Sequence, residues 1–66
     1  MDAAQFLAEA LTPVAHLRRG QALINALRAT RPELAHGLLI ADLDPYYNDA
    51  KLWPAVAWIT AHWDAQ

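Results

Sequence analysis

Leu52-Trp53-Pro54-Ala55-Val56-Ala57-Trp58-Ile59-Thr60-Ala61-His62-Trp63, residues 52–63, reads as a helix with almost no polar side. Between Trp53 and Trp63 only Thr60 and His62 carry polar side chains. Pro54 stands near the start, where its missing N–H costs nothing. At 100° per residue Leu52, Val56, Ile59 and Trp63 share one face, bordered by Trp53 and Ala57. Trp58 points almost the opposite way, with His62 one turn along. A helix that is apolar all round is buried all round. Two arrangements satisfy that: a central helix ringed by the others, or a helix covered partly by another molecule. In a chain of 66 residues the second is favoured, because the chain can hardly cover every side by itself.

The rest of the chain is also helical in pattern. Ala and Leu dominate, and only eight residues are β-branched. Asp2 followed by Gln5 is a capping-box pattern that starts a first helix carrying Phe6, Leu7, Ala10 and Leu11. Thr12-Pro13 is then read as N-cap and first-turn proline of a second helix over 13–29, with one kinked helix over 2–29 as the alternative. Leu17, Gly20, Leu23, Ile24 and Leu27 form its apolar stripe. Ala15, Ala22, Ala26 and Ala29 form a second stripe that allows close packing on another side. Gln21 and Asn25 lie between buried surfaces and need partners, from the backbone or another chain. Thr30-Arg31-Pro32-Glu33 is read as a further capping box, opening a short helix over about 31–39 with Leu34, Leu38 and Leu39, weakened near its end by Gly37. Asp44-Pro45 marks a turn, and Asn48 or Asp49 can cap the final helix. The expected fold is all-α, a small bundle of about four helices in one domain, 1–66.

Composition limits the function. Of the hydrophobic residues, which make up 56% of the chain, fifteen are alanine, leaving 22 larger apolar side chains. Cysteine and serine are absent, which excludes disulfides, Cys-based zinc sites and Ser or Cys nucleophiles. No nucleophile–base pair, metal motif or phosphate loop is present, so no enzyme activity and no cofactor are expected. A single core this small supplies about 3 to 5 kcal/mol, which makes self-association or a protein partner the default expectation. No 18-residue apolar run exists, so no membrane span is expected. Met1-Asp2 opens acidic, with no basic stretch ahead of an apolar run, so the expectation is a cytoplasmic protein without a signal peptide.

The net charge of −2 hides a division. From His16 to Arg31 there are four arginines (Arg18, Arg19, Arg28, Arg31) and no acid; from Glu33 to Asp49 there are four acids (Glu33, Asp42, Asp44, Asp49) and no base. The two segments are expected to attract each other within the fold; a bipolar surface that orients a partner is the alternative. The arginines are also the candidate phosphate contacts, for nucleic acid or a small phosphorylated ligand. Seven acids in the chain argue against DNA, since they weaken electrostatic steering.

Asp42, Asp44, Asn48 and Asp49 fail the calcium-loop pattern, which needs glycine where Tyr47 stands and glutamate where Trp53 stands. Turn and cap chemistry is the first reading of these acids, with a weak cation site or an acidic recognition loop as alternatives. Tyr46 and Tyr47 beside them have the composition of an interface hot spot. His16, His36 and His62 fall one per segment without ligand spacing, and His36 is expected near a helix end. The candidate partner-binding residues are therefore Trp53, Trp58, His62, Tyr46, Tyr47, Asp42 and Asp44.

Three strings carry a resemblance: Arg19-Gly20-Gln21-Ala22-Leu23-Ile24-Asn25-Ala26-Leu27, Pro32-Glu33-Leu34-Ala35, and Asp42-Leu43-Asp44-Pro45-Tyr46-Tyr47-Asn48-Asp49. Over about residues 18 to 63 the chain resembles short phage, prophage and bacterial proteins reading approximately RGQAxxNAL, PELA and DxDPFYDD before an aromatic C-terminal helix. It departs from them by Asn48 at a usually acidic place and by the more apolar tail. The resemblance lends no catalytic residue. It implies a mobile-element setting, in which small acidic helical proteins bind and block a host or defence protein, as anti-CRISPR proteins do. The functional expectation is thus a protein–protein interaction module in a host cytoplasm, an inhibitor or modulator acting by steric binding, with a homodimer or other homo-oligomer as a further possibility.

Overall fold

Asp2 does what the pattern at the N-terminus asks of it. Its carboxylate accepts a hydrogen bond from the Gln5 N–H at 2.8 Å and starts α1, Ala3–Ala10. The computed structural model describes residues 1–64, and three further helices follow: α2 (Arg19–Thr30), α3 (Pro32–Ile40) and α4 (Leu52–His62), the last preceded by one 3-10 turn at Asp49–Lys51. No strand occurs among the described residues.

Each helix contributes buried residues at helical spacing: Phe6, Leu7 and Ala10 from α1, Leu23, Ile24 and Leu27 from α2, Leu34, Ala35 and Leu38 from α3, and Leu52, Ala55 and Ile59 from α4. They form one core, joined by Trp63 just past α4. The packing is a closed ring, in which α1 meets α2, α2 meets α3, α3 meets α4, and α4 returns to α1. The radius of gyration, 10.6 Å, is close to the roughly 10.8 Å of a compact chain this long. The all-α single domain read from the sequence is therefore the fold, but α4 is one side of a ring and not a hub encircled by the other three.

Several boundaries differ from the sequence reading. The second helix does not begin at Pro13, nor is 2–29 one kinked helix: eight residues, Leu11 to Arg18, separate α1 from α2. Thr12 caps backwards, with its hydroxyl donating to the Ala8 carbonyl oxygen at 3.0 Å and its N–H to that of Glu9 at 3.3 Å. The Leu17 N–H then donates to the Val14 carbonyl oxygen, and His16 inside that turn takes φ = 72°. A left-handed residue cannot continue a right-handed helix, so Leu17 and Ala15 leave the stripes assigned to them and lie exposed. Thr30 caps nothing; it ends α2. Arg31 joins the two helices without a side-chain cap, and Pro32 is the first residue of α3. His36 sits in mid-α3, away from the helix end where it was expected.

Gly37 also lies inside α3 and not at its end, and it has a packing role. A Cβ there would stand 2.6 Å from the Trp58 ring. The missing side chain is the seat for the indole of α4, so Trp58 is half-buried against α3. Trp63 is held more fully. It stacks on Phe6 with ring centroids 5.0 Å apart, lies beneath the Arg31 guanidinium at 4.5 Å, and donates its indole N–H to the Met1 carbonyl oxygen at 3.2 Å. The chain thus covers two of the three tryptophans of its apolar tail.

Candidate functional site

The acids of the Asp/Tyr stretch make the turns and caps that were their first reading, and the stretch packs on the first turn of α2 through Pro45, Tyr46 and Asp49. Asp42 ends α3. It adopts φ = 60°, its N–H donates to the Leu39 carbonyl oxygen at 3.2 Å, and the next N–H, of Leu43, reaches the Leu38 carbonyl oxygen at 2.9 Å. This is a Schellman stop with Asp in the place glycine usually takes. The Asp42 carboxylate meets the Lys51 ammonium at 2.8 Å. That hydrogen bond, with the charge of Lys51, holds the Asp42 carboxyl below its ordinary 3.8. Asp44 accepts from the Tyr46 N–H at 2.8 Å, an Asx turn that sends Pro45 into the interior, where it is fully buried. Asn48 accepts from the Ala50 N–H at 3.0 Å and starts the 3-10 turn.

That buried turn rests on the first turn of α2. At Gly20 a Cβ would overlap the Pro45 carbonyl oxygen and come within 2.9 Å of the Asp49 carboxylate. The Gly20 N–H donates to that carboxylate at 3.3 Å, so Asp49 supplies from 29 residues away a partner for the helix N-terminus. Gln21 contributes the local part, accepting from the Arg18 N–H at 3.2 Å. The amide partner expected for Gln21 is therefore the backbone, while Asn25 is exposed.

The same contact engages two of the four arginines. The Arg18 guanidinium donates to the Tyr46 carbonyl oxygen at 2.8 Å, and that of Arg28 lies 5.2 Å from the Tyr46 ring centroid. Arg31 covers Trp63. The basic and acidic segments do meet inside one fold, through carbonyl, amide and ring partners more than through paired charges. Three of the four candidate phosphate contacts are engaged in these ways, and Arg19 stands apart from them. Among the described residues, no three His, Cys, Asp or Glu side chains converge as metal ligands would.

Of the seven candidate partner residues, Asp42, Asp44, Tyr46 and Trp58 thus do structural work. His62 stacks on Trp58 at 4.1 Å, its Nδ1 2.8 Å from the Trp58 carbonyl oxygen. Tyr47 and Trp53 remain outward, 85% and 61% exposed. Leu39 and Ile40, at the end of α3, are exposed as well, Ile40 by 73%. All four belong to the end of the bundle where α3 stops and α4 starts, an end tied together by the Lys51–Asp42 bridge. The sequence reading passed over Leu39 and Ile40 as contact residues. The Leu38-Leu39-Ile40 run was the available signal, since three consecutive large apolar residues cannot all face one core.

A second feature lies beside the first connector. A cavity of ≈190 Å³ opens between the end of α1, residues 11–17 and the first turn of α2, lined by Leu11, Pro13, Val14, Leu17, Ala22 and Arg19 among others. Val14 and Leu17 are exposed, and no acid lines the cavity.

No described helix is long and apolar enough to cross a membrane. Compared with protein families, with curated proteins and with solved structures, the chain finds no match.

Proposed function

We propose that the protein is a small protein–protein interaction module, of phage or mobile-element type, that inhibits or modulates a host or defence protein by occupying its surface. One observation carries the reading: Leu39, Ile40, Tyr47 and Trp53, four of the seven exposed large apolar residues, gather where α3 stops and α4 starts. Tyr and Trp are enriched at the hot spots of protein interfaces, and Leu39 and Ile40 add apolar area beside Tyr47 and Trp53. The support here is rigid because the acidic connector is bonded to α2 and α3 on both sides. Binding is steric and needs no catalytic group. The mobile-element setting rests on the resemblance of the RGQAL, PELA and DxDPYYxD strings, and an anti-CRISPR-like role is its most specific form.

The test is capture from a bacterial host lysate, read by mass spectrometry, with the wild-type chain and an Ile40→Asp/Trp53→Ala double variant as bait. A partner retained by the wild type and lost by the variant, with the helical circular-dichroism signal unchanged, is the expected result. Equal recovery with both baits would overturn the assignment of this end, and recovery of no specific partner would overturn the function. Trp58→Ala is a poor probe, because that ring is seated on Gly37.

A further inference from the structure

α1 is well seated but loosely tethered. It lies against α2 and α4, with Phe6, Leu7 and Ala10 buried and the Phe6 ring stacked on Trp63. Among the described residues, 1–10 are joined to the other helices by this packing and by one hydrogen bond, from the Trp63 indole N–H to the Met1 carbonyl oxygen. In the tether, residues 13–17 make a single hydrogen bond, from the Leu17 N–H to the Val14 carbonyl oxygen at 3.2 Å, and it closes the turn at His16. At φ = 72° His16 is left-handed without being glycine, a conformation that its Cβ opposes. The sequence of the tether favours a different state. Thr12-Pro13 is a helix start, and Leu17 stands three and seven residues before Gly20 and Ile24, on the buried stripe of α2. In the structure α2 starts after Arg18, whose side chain caps nothing, and Val14 and Leu17 are left exposed. With His16 right-handed, α2 would run from Pro13. The N–H groups of Leu17 to Gln21 would each reach a carbonyl oxygen four residues back, at the expense of the Gly20–Asp49 and Arg18–Gln21 bonds. Helix over 13–18 adds about 9 Å of rigid length and carries α1 away from its own seat.

We infer that residues 11–18 are a hinge through which two copies exchange α1. In the exchanged dimer α2 runs from Pro13, and α1 of each copy lies on α2 and α4 of the other. The occupant of the vacated seat is α1 of a second copy, because the seat is shaped to α1: Phe6 fills the place against Trp63, and the Met1 carbonyl oxygen meets its indole N–H. The exchange keeps every buried contact of α1 and releases the left-handed residue in both copies. Within one chain the tether presents α1 to its seat at an effective concentration of about 1 mM. The monomer therefore dominates in dilute solution, and the dimer forms as the protein concentration approaches that value. This inference goes beyond the proposed function and does not depend on it, since its partner is the chain itself.

Two substitutions at exposed His16 push the hinge in opposite directions. His16→Ala favours helix over the left-handed turn, and His16→Gly favours the turn. By sedimentation velocity at concentrations up to about 1 mM, the wild type is expected to pass from the 7.3 kDa monomer to twice that mass and stop there. His16→Ala should dimerise at about 100-fold lower concentration, about tenfold for each of the two hinges. His16→Gly should need a higher concentration than the wild type. The exchange itself is read by NMR in a mixture of isotope-labelled and unlabelled His16→Ala chains: NOEs between Phe6 of one chain and Trp63 of another are the expected result. A wild type and a His16→Ala chain that both stay at 7.3 kDa overturn the inference. So does a dimer whose Phe6–Trp63 NOEs all lie within one chain, which would mean a surface contact, and so does a His16→Gly chain that dimerises as readily as His16→Ala. Each of these outcomes leaves the lysate capture standing.

Discussion

The two long connectors have the same length and opposite physics. Residues 11–18 and 41–48 are each eight residues between elements. The first is basic and touches the rest of the fold mainly through Arg18, and every residue in it but half-buried Leu11 is exposed. The second is acidic and is bonded at successive points: Asp42 stops α3, Asp44 makes an Asx turn, Pro45 is fully buried, and Asn48 starts the 3-10 turn whose Asp49 binds the N-terminus of α2. A polar, charge-rich loop can therefore be the more firmly bonded part of a small protein, while an apolar-looking one makes few bonds. What decides is whether the polar groups have fixed partners within reach.

The sharpest way to break this contrast is at Gly20. Gly20→Ala would drive a methyl into the Pro45 carbonyl, costing about 3 kcal/mol through overpacking against backbone that cannot yield. Against a core worth about 3 to 5 kcal/mol that removes most of the stability, and urea unfolding followed by circular dichroism measures it. Trp58→Ala comes next. It empties the seat on Gly37, and since the ring is only half-buried the cost is about 2 kcal/mol, below the range for fully buried tryptophan. Asp44→Ala removes the acceptor for the Tyr46 N–H and should cost about 1 kcal/mol by the same unfolding measurement.

Smaller effects sharpen the comparison from the other side. Two glycines inserted after Ala15 lengthen a connector with few bonds to break, so the loss should be about 0.2 kcal/mol from loop-closure entropy. The same insertion after Tyr47 should cost clearly more, because it lengthens the chain between Pro45 and Asp49, which rest together on Gly20. The least change is expected from the exposed Lys51–Asp42 bridge. The Asp42 carboxyl is held below its ordinary 3.8, so its contribution is fully present above that pH and is lost as the pH falls through the lower folded value. Asp42→Asn should remove that slight acid sensitivity, seen in thermal midpoints below pH 4, and leave neutral stability nearly unchanged.

Most of the fold was legible wherever residues three and four apart act together. Phe6, Leu7 and Ala10, then Leu23, Ile24 and Leu27, and the Leu52–Ile59–Trp63 line are buried as their spacing requires. Asp2, Asp44-Pro45 and Asn48 act as the local caps and turns their types favour. The start of α2 was not legible, because Thr12-Pro13 has the look of a helix start and the left-handed turn at His16 follows from no residue type there. Gly20 and Gly37 were read as a stripe member and a helix weakener. Their functions depend on Pro45, Asp49 and Trp58, which lie 21 or more positions away and enter no local window. For the same reason the acidic stretch was split between cap chemistry and partner contact: the sequence shows its carboxylates but not that Asp49 meets the start of α2 and Asp42 meets Lys51. Leu39 and Ile40 stand exposed because Leu38 takes the core-facing position and the next two side chains of a helix point away from it.

Amide hydrogen exchange by NMR tests most directly whether the acidic connector is fixed to α2. The account predicts that the Gly20 and Tyr46 amides, bonded to Asp49 and Asp44 across part-buried contacts, exchange slowly and together with the core of α2. Ala15 and His16 in the other connector should exchange at nearly the unprotected rate. Gly20 and Tyr46 amides exchanging as fast as those of Ala15 and His16 would contradict it.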